Sequence, residues 1–138
     1  ISAINPMSAK PDEAAAHLLA AAYCRIGDYE AALRLAQPLA RRLGRRSPDI
    51  WMTIGVAQLG LGNLGRSRAA FENAQARDPG LAEAHFNLAQ ILIRLDPPDA
   101  EGAAARYEAA LEAGAARDPD LESIIRQFLL VRQVLQLK

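Results

Sequence analysis

Trp51-Met52-Thr53-Ile54-Gly55-Val56-Ala57-Gln58-Leu59-Gly60-Leu61-Gly62-Asn63-Leu64 carries the architecture, because its parts recur on both sides at one period. The turn Leu61-Gly62-Asn63-Leu64 has a counterpart 35 residues earlier in Ile26-Gly27-Asp28-Tyr29, and Leu95-Asp96 follows 34 residues later. The same offsets connect Leu19, Ile54 and Leu88. A period of this length marks an array of small units, none of which can bury its apolar face alone.

Within each unit the apolar residues fall at three-and-four spacing, which predicts helices near 12–26, 29–43, 48–60, 64–77, 82–94, 99–115 and 119–137. Three hairpins and a single last helix result. Ser47-Pro48-Asp49 and Asp118-Pro119-Asp120 each place an N-cap side chain before a proline, whose missing N–H costs nothing in the first turn. Pro38 removes one backbone bond inside the second helix and is expected to bend it. No stretch combines period-two alternation with flanking turn residues, so strands are not expected.

The middle unit resembles the tetratricopeptide repeat, on Trp51, Ile54, Gly55, Phe71, Ala74 and Pro79. Gly55 would allow close approach of the partner helix, Trp51 would fill the space between helices, and Pro79 would end the unit. Gln58 and Ser67 depart from the pattern, standing where Tyr and Ala are usual. The first unit keeps Leu19, Ala20, Tyr23, Ala32 and Ala36, with Ala16 in the Trp place. The third keeps Leu88, Ala89, Leu92, Ala103, Tyr107 and Ala110, with His85 in the Trp place and Asp96-Pro97-Pro98-Asp99 inserted. The resemblance implies an all-α fold, an α-solenoid of three antiparallel helix hairpins with a C-terminal capping helix. Repeats would span about 13–47, 48–81 and 82–121, with the cap near 119–137 in a domain over 12–138 and a linker over 1–11.

Residues 122–137 repeat the first-helix pattern with Leu129 in the place of Ala20, Gly55 and Ala89, which reads as a terminal cap. Glu122, Arg126, Arg132 and Gln136 are expected to face outward. Leu130, Val134 and Leu137 form a second apolar row. Burial within the cap is the favoured reading of that row; a longer groove, a second copy or a continuation of the chain are the others.

Chemistry finds little support. Sixteen Lys plus Arg balance sixteen Asp plus Glu, so no overall field attracts nucleic acid or an anionic membrane. The stretch from Ala14 to Ala22, interrupted by His17, is too short to cross a bilayer, and no membrane insertion is expected. Cys24 is the only cysteine and cannot form an internal disulfide; the compartment stays open, with the cytoplasm preferred. No phosphate loop, metal-spaced Cys and His cluster or nucleophile elbow is present, so no enzyme, metal or cofactor is expected. His17 and His85 read as packing or surface residues. Arg41, Arg42, Arg45 and Arg46 read as a solvated helix end that offsets the dipole, with no interleaved aromatics for base stacking.

The resemblance implies that the first helices of the hairpins line a concave face that binds peptides or partner helices. Carried onto this chain, that face comprises His17, Ala21, Cys24 and Arg25; Met52, Val56 and Leu59; Phe86, Gln90, Ile93 and Arg94; and, from the cap, Leu130 and Val134. These residues are largely apolar, which favours a partner with hydrophobic anchors. The Lys and Asn with which some family members clamp acidic chaperone tails are missing at these positions. The expected role is a protein-interaction scaffold or adaptor. A secretion-type chaperone holding an export substrate, a docking region of a larger enzyme, and a self-assembling repeat joined through the cap helix are the alternatives.

Overall fold

The computed structural model describes residues 11–136, and these form seven helices: α1 (Pro11–Ile26), α2 (Tyr29–Leu43), α3 (Pro48–Gly60), α4 (Leu64–Arg77), α5 (Ala82–Arg94), α6 (Ala100–Glu112) and α7 (Pro119–Gln136). No strand occurs among the described residues, and none of their helices is long and apolar enough to cross a membrane. Apart from Pro11, which opens α1, the expected linker lies outside the described residues, as does Leu137. The chain divides into two compact units between Arg77 and Asp78.

The helix ends follow from local chemistry. Asp28, Asp99 and Asp118 cap their helices, accepting from the N–H of Ala31 (3.2 Å), Gly102 (2.8 Å) and Leu121 (3.0 Å). Each such cap stabilises by about 1 kcal/mol. Ser47 occupies the N-cap of α3 as expected, but its side chain makes no capping hydrogen bond. At the C-terminal ends of α1, α3 and α6 one closure is used three times: Gly27, Gly62 and Gly114 take positive φ, and the next residue's N–H returns to Tyr23, Gln58 and Ala110 O at 2.9 Å. In α6 this closure follows Glu112, so the helix stops three residues short of its expected end at 115. Helix α2 runs unbroken through the exposed Pro38.

In the first unit α1 packs on α2, α2 on α3 and α3 on α4, around Ala20, Ala36, Leu39, Ile50, Ile54 and Ala70. The small residue at position 55 has a measurable reason: a Cβ there would stand 2.5 Å from Phe71 Cε1, on a ring with no exposed surface. Ser67, also fully buried, donates its hydroxyl to Gly55 O at 2.7 Å, so it serves the same contact with a bond that alanine could not make. Trp51 donates Nε1–H to Gly44 O at 2.9 Å, and Arg77 stacks over its ring at 5.5 Å. Leu19 departs from its expected role as a packing residue. It is 47% exposed.

In the second unit α5 packs on α6 and α6 on α7, around Ala89, Leu92, Ala103, Tyr107, Leu121 and Ile125. The last helix has a different register from the expected one. Ile50 and Ile54 are buried at the third and seventh residues of α3, Ala84 and Leu88 at those of α5, and Leu121 and Ile125 at those of α7. In this register Arg126, not Leu129, takes the place of Gly55 and Ala89. Leu129 instead packs partly buried against the core. Glu122 does not face outward: its carboxylate accepts from Tyr107 Oη (2.6 Å) and from Arg117 Nε and Nη2 (2.9 and 3.0 Å). The favoured burial of the second row is also overturned, since Leu130 and Val134 are 55% and 56% exposed.

Candidate functional site

On α1 of the first unit, the residues expected on the binding face sit along its seam with α3. Thr53 Oγ1 donates to Asp49 O (3.1 Å), so it accepts Nε2–H of His17 at 3.0 Å, and Cys24 Sγ–H donates to the backbone O of the same Thr53 at 3.7 Å. His17 and Cys24 thus hold the two first helices together, with Ala21 half-buried between them. Burial pushes the Cys24 thiol above its ordinary value, which keeps it protonated and a poor nucleophile at neutral pH. Arg25 is exposed, Val56 and Leu59 are half-buried, and Met52 is buried.

A cavity of about 410 Å³ opens beside His17, lined also by Glu13, Leu18, Leu43, Arg46 and Ile50. Sequence reasoning did not anticipate it. Arg42 reaches from α2 to Glu13 Oε2 at 3.0 Å, and Glu13 is only 8% exposed. One member of the arginine run is therefore tied to α1 and is not simply a solvated charge.

In the second unit, Gln90, Ile93 and Arg94 on α5 converge with Leu121 and Ile124 on α7, and with Asp118 and Asp120 at its start, around a cleft of about 200 Å³. Three expected residues meet there. Leu121, Ile124 and the two aspartates were missed, because Pro119 fixes where α7 begins but not which of its sides meets α5. Ile93 is 8% exposed and forms the floor of the cleft, whereas Gln90 is half-buried and Arg94 exposed. Phe86 borders a second cleft of about 380 Å³ with Ala82, Glu83, Ala115 and Ala116; its ring lies 6.4 Å from Tyr107 at 52°. Leu130 and Val134 line neither cleft.

His85, in the tryptophan place, has a structural assignment. Its Nδ1 accepts from Arg106, whose guanidinium can only donate (3.3 Å), and its Nε2–H donates to Pro79 O (2.9 Å). One ring nitrogen thus ties α5 to α6 and the other ties it to the segment that precedes α5. No group of three or more His, Cys, Asp or Glu that could hold a metal ion occurs among the described residues.

The sequence matches no family model and no curated protein. Solved structures do match. The Sgt2 TPR domain from Aspergillus fumigatus superposes with a TM-score of 0.76 at 18% identity, over 99% of this chain and 89% of that one. The Yersinia enterocolitica type III secretion chaperone SycD, in complex with a peptide of the translocator YopD, superposes with a TM-score of 0.75 at 17% identity, over 90% and 97%. A mutant of MamA gives 0.67 at 20% identity, over 80% and 79%. Identities this low speak to architecture alone. With three helix hairpins followed by a single helix, the chain has the all-α fold of the tetratricopeptide repeat.

Proposed function

We propose that the chain is a protein-interaction module that takes a peptide or helix of a partner on the faces of its first helices, α1 with α3 and α5 with α7. The observation that carries this reading is the α5–α7 cleft, where Gln90, Ile93 and Arg94 meet Leu121 and Ile124 over an apolar floor. An apolar floor with a few charged groups at its rim suits an anchor side chain and a fixed orientation of the peptide carrying it. In the first unit, His17, Ala21, Cys24, Arg25, Val56 and Leu59 supply the corresponding face, with Met52 beneath it as packing support. Phe86 offers a second anchor site; Leu130 and Val134 would extend the contact along α7.

A displayed peptide library tests the proposal. Selection on the folded protein is expected to enrich peptides with spaced hydrophobic residues, and a Gln90→Lys, Arg94→Glu variant should lose them. Both residues reach solvent, so the variant should keep the wild-type circular dichroism spectrum. Failure to enrich any sequence, or equal binding by the variant, would refute the assignment.

A more specific reading, an export chaperone, is favoured by the likeness to SycD with its bound translocator peptide. It requires that co-expression keep a secreted, aggregation-prone substrate in solution. A substrate that stays insoluble in the presence of the chain would exclude that role and leave the peptide-binding proposal intact.

A further inference from the structure

Helix α7 exposes an apolar stripe, of which Ile124 alone also borders the α5–α7 cleft. Ile124, Phe128, Val131 and Leu135 follow at spacings of four, three and four, the repeat of a coiled-coil seam, and are 41%, 40%, 55% and 65% exposed. Val134 lies to one side of it at 56%, whereas Leu130, 55% exposed, stands closer to the Arg126 side of the helix. Together they leave several hundred Å² of apolar surface in the open, a substantial part of the ~800 Å² that each partner contributes to a standard interface.

A further repeat helix is a poor occupant. In α3 and α5 the second helix of the hairpin approaches over Gly55 and Ala89, and at Gly55 even a Cβ would stand 2.5 Å from the packed ring. The equivalent residue of α7 is Arg126, which forbids that approach. A helix packed at ordinary coiled-coil distance along the stripe is not obstructed, because Arg126 points away from Ile124, Phe128, Val131 and Leu135 by its helical position.

We propose that the occupant is α7 of a second copy of this chain, packed antiparallel. In that arrangement Phe128 meets Val131 of the other copy and Ile124 meets Leu135, so large residues face smaller ones; a parallel pair would set Phe128 on Phe128. Antiparallel packing also opposes the helix dipoles. Charge permits the pairing: residues 123–136 contain no carboxylate, Arg132 is engaged by Glu101 at 3.3 Å, and Arg132 stands level with Gln127 of the other copy. Ile124 also borders the α5–α7 cleft, so pairing would compete with a peptide at that end of α7, while sedimentation and cross-linking read the pairing without any peptide.

Sedimentation equilibrium of the 138-residue chain should give twice its 14.9 kDa mass. A Phe128→Glu, Val131→Glu variant should raise the dissociation constant at least about 100-fold while retaining helicity, since both side chains are exposed. In a Cys24→Ser background, Ile124→Cys combined with Leu135→Cys should yield covalent dimers under mild oxidation, and Ile124→Cys alone should not. A single-copy mass at every concentration would overturn the proposal and leave the stripe to another protein or to further chain. Persistent dimers in the charged variant would overturn it as well, and cross-linking by Ile124→Cys alone would overturn the antiparallel arrangement.

Discussion

Replacing Gly55 by alanine pits two effects of known sign against each other. A mid-helix glycine is about 1 kcal/mol less favourable than alanine, so an uncrowded site would be stabilised by that amount. Here the added Cβ would lie 2.5, 2.7 and 2.8 Å from three carbons of Phe71, a side chain with no exposed surface. Overpacking of this kind costs about 1–3 kcal/mol, so Gly55→Ala should destabilise the first unit by about 1 kcal/mol net. In a Phe71→Leu background the ring is gone, and the same substitution should stabilise by up to about 1 kcal/mol. The coupling between the two sites is then about 2 kcal/mol. Trp51 is the only tryptophan and lies in the first unit, so its fluorescence in a urea titration reads the unit concerned. An effect of Gly55→Ala that is equal in both backgrounds would show that the close contact with Phe71 is not the reason for glycine at this position.

Three further outcomes are expected. The Glu122 carboxyl is held below the usual carboxylate range by hydrogen bonds from Arg117 and Tyr107, so its contribution is complete above the ordinary value of 4.5 and is lost as pH falls through the folded value. Tyr107 is shifted up by burial and by its bond to Glu122, so its contribution is complete below the ordinary value of 10.0 and is lost as pH rises through its folded value. Amide exchange in α7 should therefore accelerate at both extremes, and Glu122→Gln should flatten the acid limb; an unchanged acid limb would count against the network. Ser67→Ala removes the bond to Gly55 O but leaves that carbonyl its helical partner, so a loss of about 0.5–1.5 kcal/mol is expected in Trp51-monitored unfolding. Asp99→Ala should cost about 1 kcal/mol through the lost cap on Gly102 N–H, with most of it restored by Asp99→Asn, as measured by urea unfolding followed by circular dichroism.

Much of the architecture could be read locally. Helix starts at Tyr29, Pro48, Leu64, Ala82 and Pro119 coincide with those expected, because caps, prolines and turn glycines act within a few residues of themselves. The face lists were legible only in part. His17, Ala21 and Cys24 do share one seam and Gln90, Ile93 and Arg94 one cleft, yet Met52 and Ile93 are buried, since one helical step of 100° separates a residue at the rim from one beneath it.

The amino-acid sequence by itself determined the seven helices of the described residues, most of their starts and the repeat that joins six of them into hairpins, since these rest on short-range periodicity and backbone chemistry. Tertiary structure decided the register of α7. That helix carries apolar residues on several sides, at spacings any of which could serve as its inner face. Contact with α6 and α5 selected Leu121 and Ile125, drew Glu122 into the bonds of Tyr107 and Arg117, and left Ile124, Phe128, Val131 and Leu135 outside.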